Sequence, residues 1–162
     1  MNIQTNLCER VDELSPHERK NLVAVLRELL DIAHDAAAGY ETAAAGVREA
    51  ELAKLFRECA SDRRESVDTL TDMLGELGVR AVPHATLGGE IHRGLIKIRA
   101  AIAGGQASAL LSECERGEQF ALLRYEGALT IKMPQSIASL LLDHAAMSRS
   151  ARTTFERMRH PW

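Results

Sequence analysis

The feature that most constrains the fold is a set of apolar residues spaced alternately four and three positions apart. In the first long segment this spacing places Leu22, Leu26, Leu29, Ala33, Ala36, Tyr40 and Ala43 on one side of a helix. Such alternation is the pattern of a buried seam in a helical bundle. The many Ala, Leu, Glu and Arg residues also favour helix over strand, so the sequence predicts an all-α fold.

Local start and stop signals divide the chain into helices. Ser15 and Glu18 form a capping box around Pro16, so a helix begins there and ends near Gly46. The apolar spacing of residues 7–14 suggests one short helix before it. Within a single domain, residues 1–162, the long predicted helices cover about 16–46, 49–77, 86–103, 108–131 and 134–159.

The glycine pair Gly104–Gly105 decides the topology. A continuous helix over residues 86–131 would be ~70 Å long at ~1.5 Å per residue, and the first two helices would cover only about two thirds of it. A reversal at the glycines fits better, and it makes the segment 86–103 a short crossover helix between the second and third long helices. This is the arrangement of a ferritin-like four-helix bundle. An up-down-up-down bundle with a kinked third helix is the alternative.

Three of the predicted helices carry one polar residue on an otherwise apolar stripe: Arg63, Glu118 and His144. A charge in a bundle seam costs several kcal/mol unless it is paired. In the last helix, His144 interrupts a stripe predicted to contain Ile137, Leu140, Met147, Ala151 and Met158. These positions are where any chemistry is sought first.

Counting residues from the first turn places Arg63 and Glu118 at the same height in the crossover topology. They are natural partners for an ion pair that fixes the register of the helices. His144 is predicted about one turn away and His34 close to the level of the pair. Together these four residues form the predicted buried polar cluster.

A metal site is the competing interpretation of the same residues. Glu118 would ligate iron, manganese or zinc with help from His144, His34, Glu58 or Glu41, because carboxylates and imidazoles on facing helices build bundle metal sites. A complete di-iron site also needs two Glu-x-x-His motifs. Neither motif is present. Three residues after Glu58, where the motif needs His, the chain has Ser61. Three residues before His144, where it needs Glu, the chain has Leu141. A guanidinium at the same level would also repel a cation.

The three cysteines have no CxxC spacing, which argues against a disulfide framework and against a zinc site. Cys59 and Cys114 are predicted at one level of the bundle, where the simplest expectation is buried, reduced thiols. The alternative is a regulatory disulfide between them.

Composition excludes several classes of function. The formal net charge of −3 and the interspersed charges leave no basic surface typical of nucleic-acid binding. The sequence has no signal-peptide pattern at its start and no apolar run of membrane-spanning length, which predicts a cytoplasmic protein that does not insert into membranes. It also lacks a nucleophile elbow and a phosphate-binding loop, so hydrolase and nucleotide-binding functions have no support.

Three segments resemble a bacterial family of ferritin-like four-helix-bundle proteins of unknown function: DAAAGYETAA at 35–44, LGGEIHRGLIKIRAAIAGG at 87–105 and ECERGE at 113–118, followed by Tyr125. The resemblance implies a ferritin-like bundle and no established activity. Ser66, Thr69 and Arg152 depart from the family's usual pattern and remove potential metal ligands. The expected function is that of a non-enzymatic interaction or stress-related protein, forming a homodimer or binding another protein. A metal-binding or redox protein with a degenerate core site is the alternative.

Overall fold

The structure is a computed structural model that describes the backbone of residues 7–84 and 90–160 and the side chains of 7–84 and 93–160. It confirms the all-α bundle. The helices are α1 (Pro16–Gly46), α2 (Ala50–Glu76), α3 (Glu90–Ala103), α4 (Ala107–Ala128) and α5 (Gln135–Arg159), accompanied by the short strands β1 (Leu7–Cys8) and β2 (Met133–Pro134). No helix among these residues is long and apolar enough to cross a membrane.

The capping box at the start of α1 is present. The Ser15 hydroxyl accepts a hydrogen bond from the Glu18 amide, and the Glu18 carboxylate accepts one from the Ser15 amide. Pro16 opens the helix because its missing N–H would have no intrahelical partner there. Both ends of α1 lie at the predicted residues.

Contacts at one end of the bundle establish the direction of the long helices. Arg19, near the start of α1, donates a 2.7 Å hydrogen bond to the Leu77 carbonyl at the end of α2. Lys132, between α4 and α5, lies 3.4 Å from Glu18. The strands β1 and β2 pair in parallel just before α1 and α5. One end of the bundle therefore holds the start of α1, the end of α2, the end of α4 and the start of α5. The four long helices α1, α2, α4 and α5 thus run up, down, down and up.

The short helix α3 returns the chain along α1, as the crossover requires. A Cβ atom added at Gly46 would lie only 2.4 Å from Ile102, so glycine allows this close approach of α1 and α3. The predicted break follows at Gly104–Gly105, where Gly105 has a φ of +62° that favours glycine. The start predicted for this helix, at residue 86, lies outside the described residues.

The core consists of two apolar clusters stacked along the bundle. One lies toward the end that holds the strands and includes Leu26, Leu74 and Leu141. The other lies toward the opposite end and includes Phe56 and Phe155. Along their helices, Arg63 and Ser66 of α2, Glu118 of α4 and Ser148 of α5 fall between the two clusters.

The predicted stripe of α5 is partly wrong. Leu140 and Met158 are each 38% exposed, whereas Leu141, Ser148 and Phe155 are buried. Starting from Ile137, the next buried positions of α5 lie four, three and four residues apart. A pattern of apolar residues does not indicate this buried face, because Ser148 is small and polar.

The segment before α1 also differs from the prediction. Instead of a short helix, it contains strand β1 and a 3-10 turn at Val11–Glu13. Leu14 is buried in the apolar cluster at the end of the bundle that holds the strands. Its apolar character therefore reflects packing rather than helical periodicity.

Candidate functional site

A buried polar network joins all four long helices at the boundary between the two apolar clusters. The Glu118 carboxylate of α4 accepts a hydrogen bond from the Tyr40 hydroxyl of α1 through one oxygen and from the Arg63 guanidinium of α2 through the other. Arg63 also donates a 3.0 Å hydrogen bond to the Ser148 hydroxyl of α5. The predicted ion pair is therefore present as part of a four-residue network.

The network is almost free of solvent. Arg63 and Glu118 are each 2% exposed, so their mutual attraction is only weakly screened. Burial alone would lower the pKa of Arg63, but the Glu118 carboxylate raises it above its ordinary value. Burial and the neighbouring Glu118 raise the pKa of the Tyr40 hydroxyl well above its usual range. Arg63 thus stays charged and Tyr40 stays a hydrogen-bond donor.

His144 is buried beside this network and does not bond to it directly. Its ring packs edge-on against Tyr125, with 5.5 Å between ring centroids. Burial and the positive charge of Arg63 lower the pKa of His144 to about 4. Among the described residues, neither His144 Nδ1 nor the Tyr125 hydroxyl has a hydrogen-bond partner. His144 is therefore a neutral core histidine at neutral pH.

His34 does not share the buried environment predicted for it. Its side chain is partly exposed, and its Nδ1 atom is 3.5 Å from the carboxylate of Asp35, the next residue of α1. Asp35 itself is buried. The predicted cluster of four residues thus divides into the Arg63–Glu118 pair, the adjacent His144 and a separate His34–Asp35 pair.

The residues predicted as metal ligands occupy different environments. Glu41 is half exposed and forms an ion pair with Arg64. Glu58 is exposed, with its carboxylate 4.0 Å from Lys54. Glu118 and His144 are buried. Within the described part of the chain, no three His, Cys, Asp or Glu side chains group closely enough to hold a metal ion.

Cys59 and Cys114 are buried free thiols in the same apolar cluster. Burial, together with the nearby Glu118, raises the pKa of Cys59 to about 12. The same causes raise the pKa of Cys114, and Cys59 adds to the effect. Since the thiolate is the reactive form, both groups are chemically protected in the folded protein.

We expect Cys59 and Cys114 to react much more slowly with iodoacetamide at pH 8 than a free cysteine does. Timed alkylation followed by peptide mass spectrometry measures each site, and the urea-unfolded protein serves as the control. Fast modification of Cys114 in the folded state would contradict this expectation. Rapid formation of a Cys59–Cys114 disulfide under mild peroxide would instead favour the predicted thiol switch.

A cavity of about 110 Å³ lies between α1, α3 and α4, and Tyr40 and Glu118 form part of its wall. Most of the remaining wall is apolar: Ile32, Ala36, Leu95, Ile98, Phe120 and Ala121. The exposed cations Arg93, Lys97 and Arg116 also line it. The cavity thus extends from the buried network to charged side chains at the surface.

The chain matches a known protein family. Residues 21–131, more than half of the chain, match a family described as a domain of unknown function (DUF2383). The chain belongs to the DUF2383 family. No curated protein matches the chain. The DUF2383 segment contains Tyr40, Arg63, Glu118 and every residue named for the cavity, whereas Ser148 and His144 lie beyond it in α5.

Sequence reasoning misses two members of the buried network. Tyr40 was assigned to the apolar seam, although its hydroxyl donates to Glu118. Ser148 was not singled out, although it is fully buried against Arg63. A usable signal existed for Tyr40, because a buried tyrosine hydroxyl needs a partner and Glu118 is a carboxylate on a facing helix.

Proposed function

We propose that the protein is a non-enzymatic, ferritin-like interaction protein whose core ion pair takes the place of a metal centre. The up, down, down, up arrangement with a connecting helix supports the ferritin-like fold. The observation that carries the proposal is that protein groups already hold both oxygens of Glu118. Tyr40 bonds to one and Arg63 to the other.

Arg63 supplies in this core the positive charge that a metal ion supplies in di-iron bundles. A guanidinium is permanently charged and bonds to a carboxylate with fixed geometry, so it holds the helices in register without redox chemistry. A cation entering beside Arg63 would have to displace it from Glu118 against charge repulsion. The resulting role is a rigid bundle that presents its outer surfaces for binding.

The partner that we propose is a second copy of the chain. Large apolar side chains are exposed on α4 and α5: Leu123, Leu140 and Leu142 are 57%, 38% and 44% exposed. Covering such groups is favourable in a homodimer. Sedimentation equilibrium tests this part of the proposal, and a purely monomeric mass at high protein concentration would refute it.

Metal content tests the central claim. We expect freshly purified, untagged protein to contain less than one tenth of an equivalent of iron, manganese or zinc, and to take up none specifically on iron titration. Arg63→Met is the informative companion variant, because it frees a Glu118 oxygen without removing the carboxylate. One or two equivalents in the unmodified protein would overturn the proposal and favour a metal-binding or redox protein using Glu41, Glu58, Glu118 and His144.

A further inference from the structure

We propose that Met147 is a reversible oxidation site whose sulfoxide oxygen is held by the buried Arg63. Met147 lies on α5, and its side chain is partly exposed. Its sulfur contacts two residues of α2. Arg63 Nη1 donates to the sulfur at 3.8 Å, and the Ser66 hydroxyl lies 3.9 Å from the same atom. A thioether that solvent can reach is thus held against two hydrogen-bond donors of the core.

The two terminal nitrogens of Arg63 have acceptors of different strength. Nη2 donates to two oxygens, one from the Glu118 carboxylate and one from the Ser148 hydroxyl. Among the described residues, the acceptor of Nη1 is the Met147 sulfur. A thioether is a weak acceptor, and a buried charged donor is costly without a strong one. An oxygen on the Met147 sulfur would give Nη1 a stronger acceptor and leave the bonds of Nη2 in place.

The distances suit an oxygen bonded to the Met147 sulfur. The sulfur lies 3.8 Å from Arg63 Nη1, so an oxygen that projects to one side of the line between these atoms comes within about 2.8 to 3.0 Å of Nη1. The Ser66 hydroxyl is a second donor, although its proton also reaches the Asp62 carbonyl at 3.1 Å. Methionine has several rotatable side-chain bonds, so the oxygen can turn toward the guanidinium. Arg63 is therefore the principal donor to the sulfoxide.

Exposure separates Met147 from the buried methionines of the chain. Met73 and Met133 are 2% and 0% exposed, so an oxidant in solution does not reach them in the folded protein. Met158 is 38% exposed, and within the described part of the chain its sulfur receives no hydrogen bond. Met158 is therefore the internal comparison for Met147: its sulfur is also open to solvent, but no core donor faces it.

The chemical step uses a hydroperoxide as the oxidant. The Met147 sulfur attacks one peroxide oxygen, the O–O bond breaks, and an S–O bond forms. The sulfur gives up two electrons, and with hydrogen peroxide the departing oxygen leaves as water. A dithiol reductant reverses the step by removing the oxygen as water and becoming a disulfide. A sulfoxide ordinarily disrupts a core because it is polar, but at Met147 it would join an existing polar network.

Hydrogen peroxide treatment of two matched variants tests the proposal. Peptide mass spectrometry of the folded protein is expected to show Met147 and Met158 oxidised at least tenfold faster than Met73 and Met133. After oxidation, the urea midpoint of Met158→Leu, which retains Met147, is expected to fall no further than that of Met147→Leu. The second variant also measures the effect of oxidation at other residues. Slow oxidation of Met147, or a larger fall for Met158→Leu, would overturn the proposal.

Removal of the donor locates the sulfoxide oxygen. In the Met158→Leu background, Arg63→Leu with Glu118→Leu leaves an apolar core, in which oxidation of Met147 is expected to lower the urea midpoint by about 0.5 M or more. An unchanged midpoint in this folded variant would overturn the role of Arg63.

Infrared spectroscopy tests the same hydrogen bond without changing the core. With isotope-labelled peroxide to identify the S–O stretch, we expect a lower frequency for the Met147 sulfoxide in Met158→Leu than for the Met158 sulfoxide in Met147→Leu. The reason is that a hydrogen bond from Arg63 weakens the S–O bond. Equal frequencies in the two proteins would show that the Met147 sulfoxide is not held by the core.

Discussion

Replacing Glu118 by alanine is expected to lower the free energy of unfolding by about 3 to 5 kcal/mol. The substitution leaves Arg63 buried and charged, with Ser148 as its remaining hydrogen-bond partner among the network residues. It also removes the acceptor of the Tyr40 hydroxyl. Most of the loss comes from these stranded donors rather than from the attraction of the ion pair itself. Urea unfolding at pH 7 measures it.

The double variant Arg63→Met with Glu118→Leu is the control that separates the two contributions. It removes both charges and keeps similar side-chain volume, so we expect it to cost much less than Glu118→Ala alone. Arg64→Met with Glu41→Leu, an exposed ion pair between α1 and α2, should change stability by less than about 1 kcal/mol. If the single and double core variants cost the same, Arg63 and Glu118 are not coupled.

Acidification is expected to destabilise the protein through His144. Burial and Arg63 lower its folded-state pKa to about 4, whereas the unfolded histidine keeps the ordinary value of 6.5. Between these pH values the unfolded chain binds a proton that the folded protein excludes. The contribution of neutral His144 to the free energy of unfolding is therefore complete above pH 6.5 and is lost as the pH falls toward 4. A difference of about 2.5 pKa units corresponds to roughly 3 kcal/mol.

His144→Phe isolates this effect, because phenylalanine retains a ring against Tyr125 but does not titrate. Carboxylates also titrate in this pH range, so the informative quantity is the difference between the two proteins. Between pH 6.5 and 4, we expect the unfolding free energy of the unmodified protein to fall by nearly 3 kcal/mol more than that of His144→Phe. His17→Gln, at an exposed position of α1, serves as the control variant. Parallel profiles for His144→Phe and the unmodified protein would show that His144 is not protected.

Local signals and helical spacing predicted much of the fold and part of the site. Ser15, Pro16 and Glu18 fixed the start of α1 because a capping box acts within one helical turn. The pairing of Arg63 with Glu118 followed from counting, since each residue advances a helix by the same rise. The glycine pair predicted the reversal that places these two side chains on facing helices.

The remaining features depend on contacts that one-dimensional patterns do not contain. Ser148 is small and polar, and a pattern of apolar residues assigns such a residue to the surface. Only the position of Arg63 on another helix shows that Ser148 belongs in the core. The cavity arises likewise from how α1, α3 and α4 fit together. The strands β1 and β2 contain two residues each, too few for an alternating pattern to be detected.

The parallel pairing of Leu7–Cys8 with Met133–Pro134 has a consequence for how the chain folds. Joining segments so far apart in sequence closes a long loop, which carries an entropic cost that only prior packing of the intervening helices can offset. We therefore expect the pairing to form late in folding, after the helices have packed. A disturbance of the segment before α1 will accordingly be transmitted to the start of α5, where Met133 is fully buried.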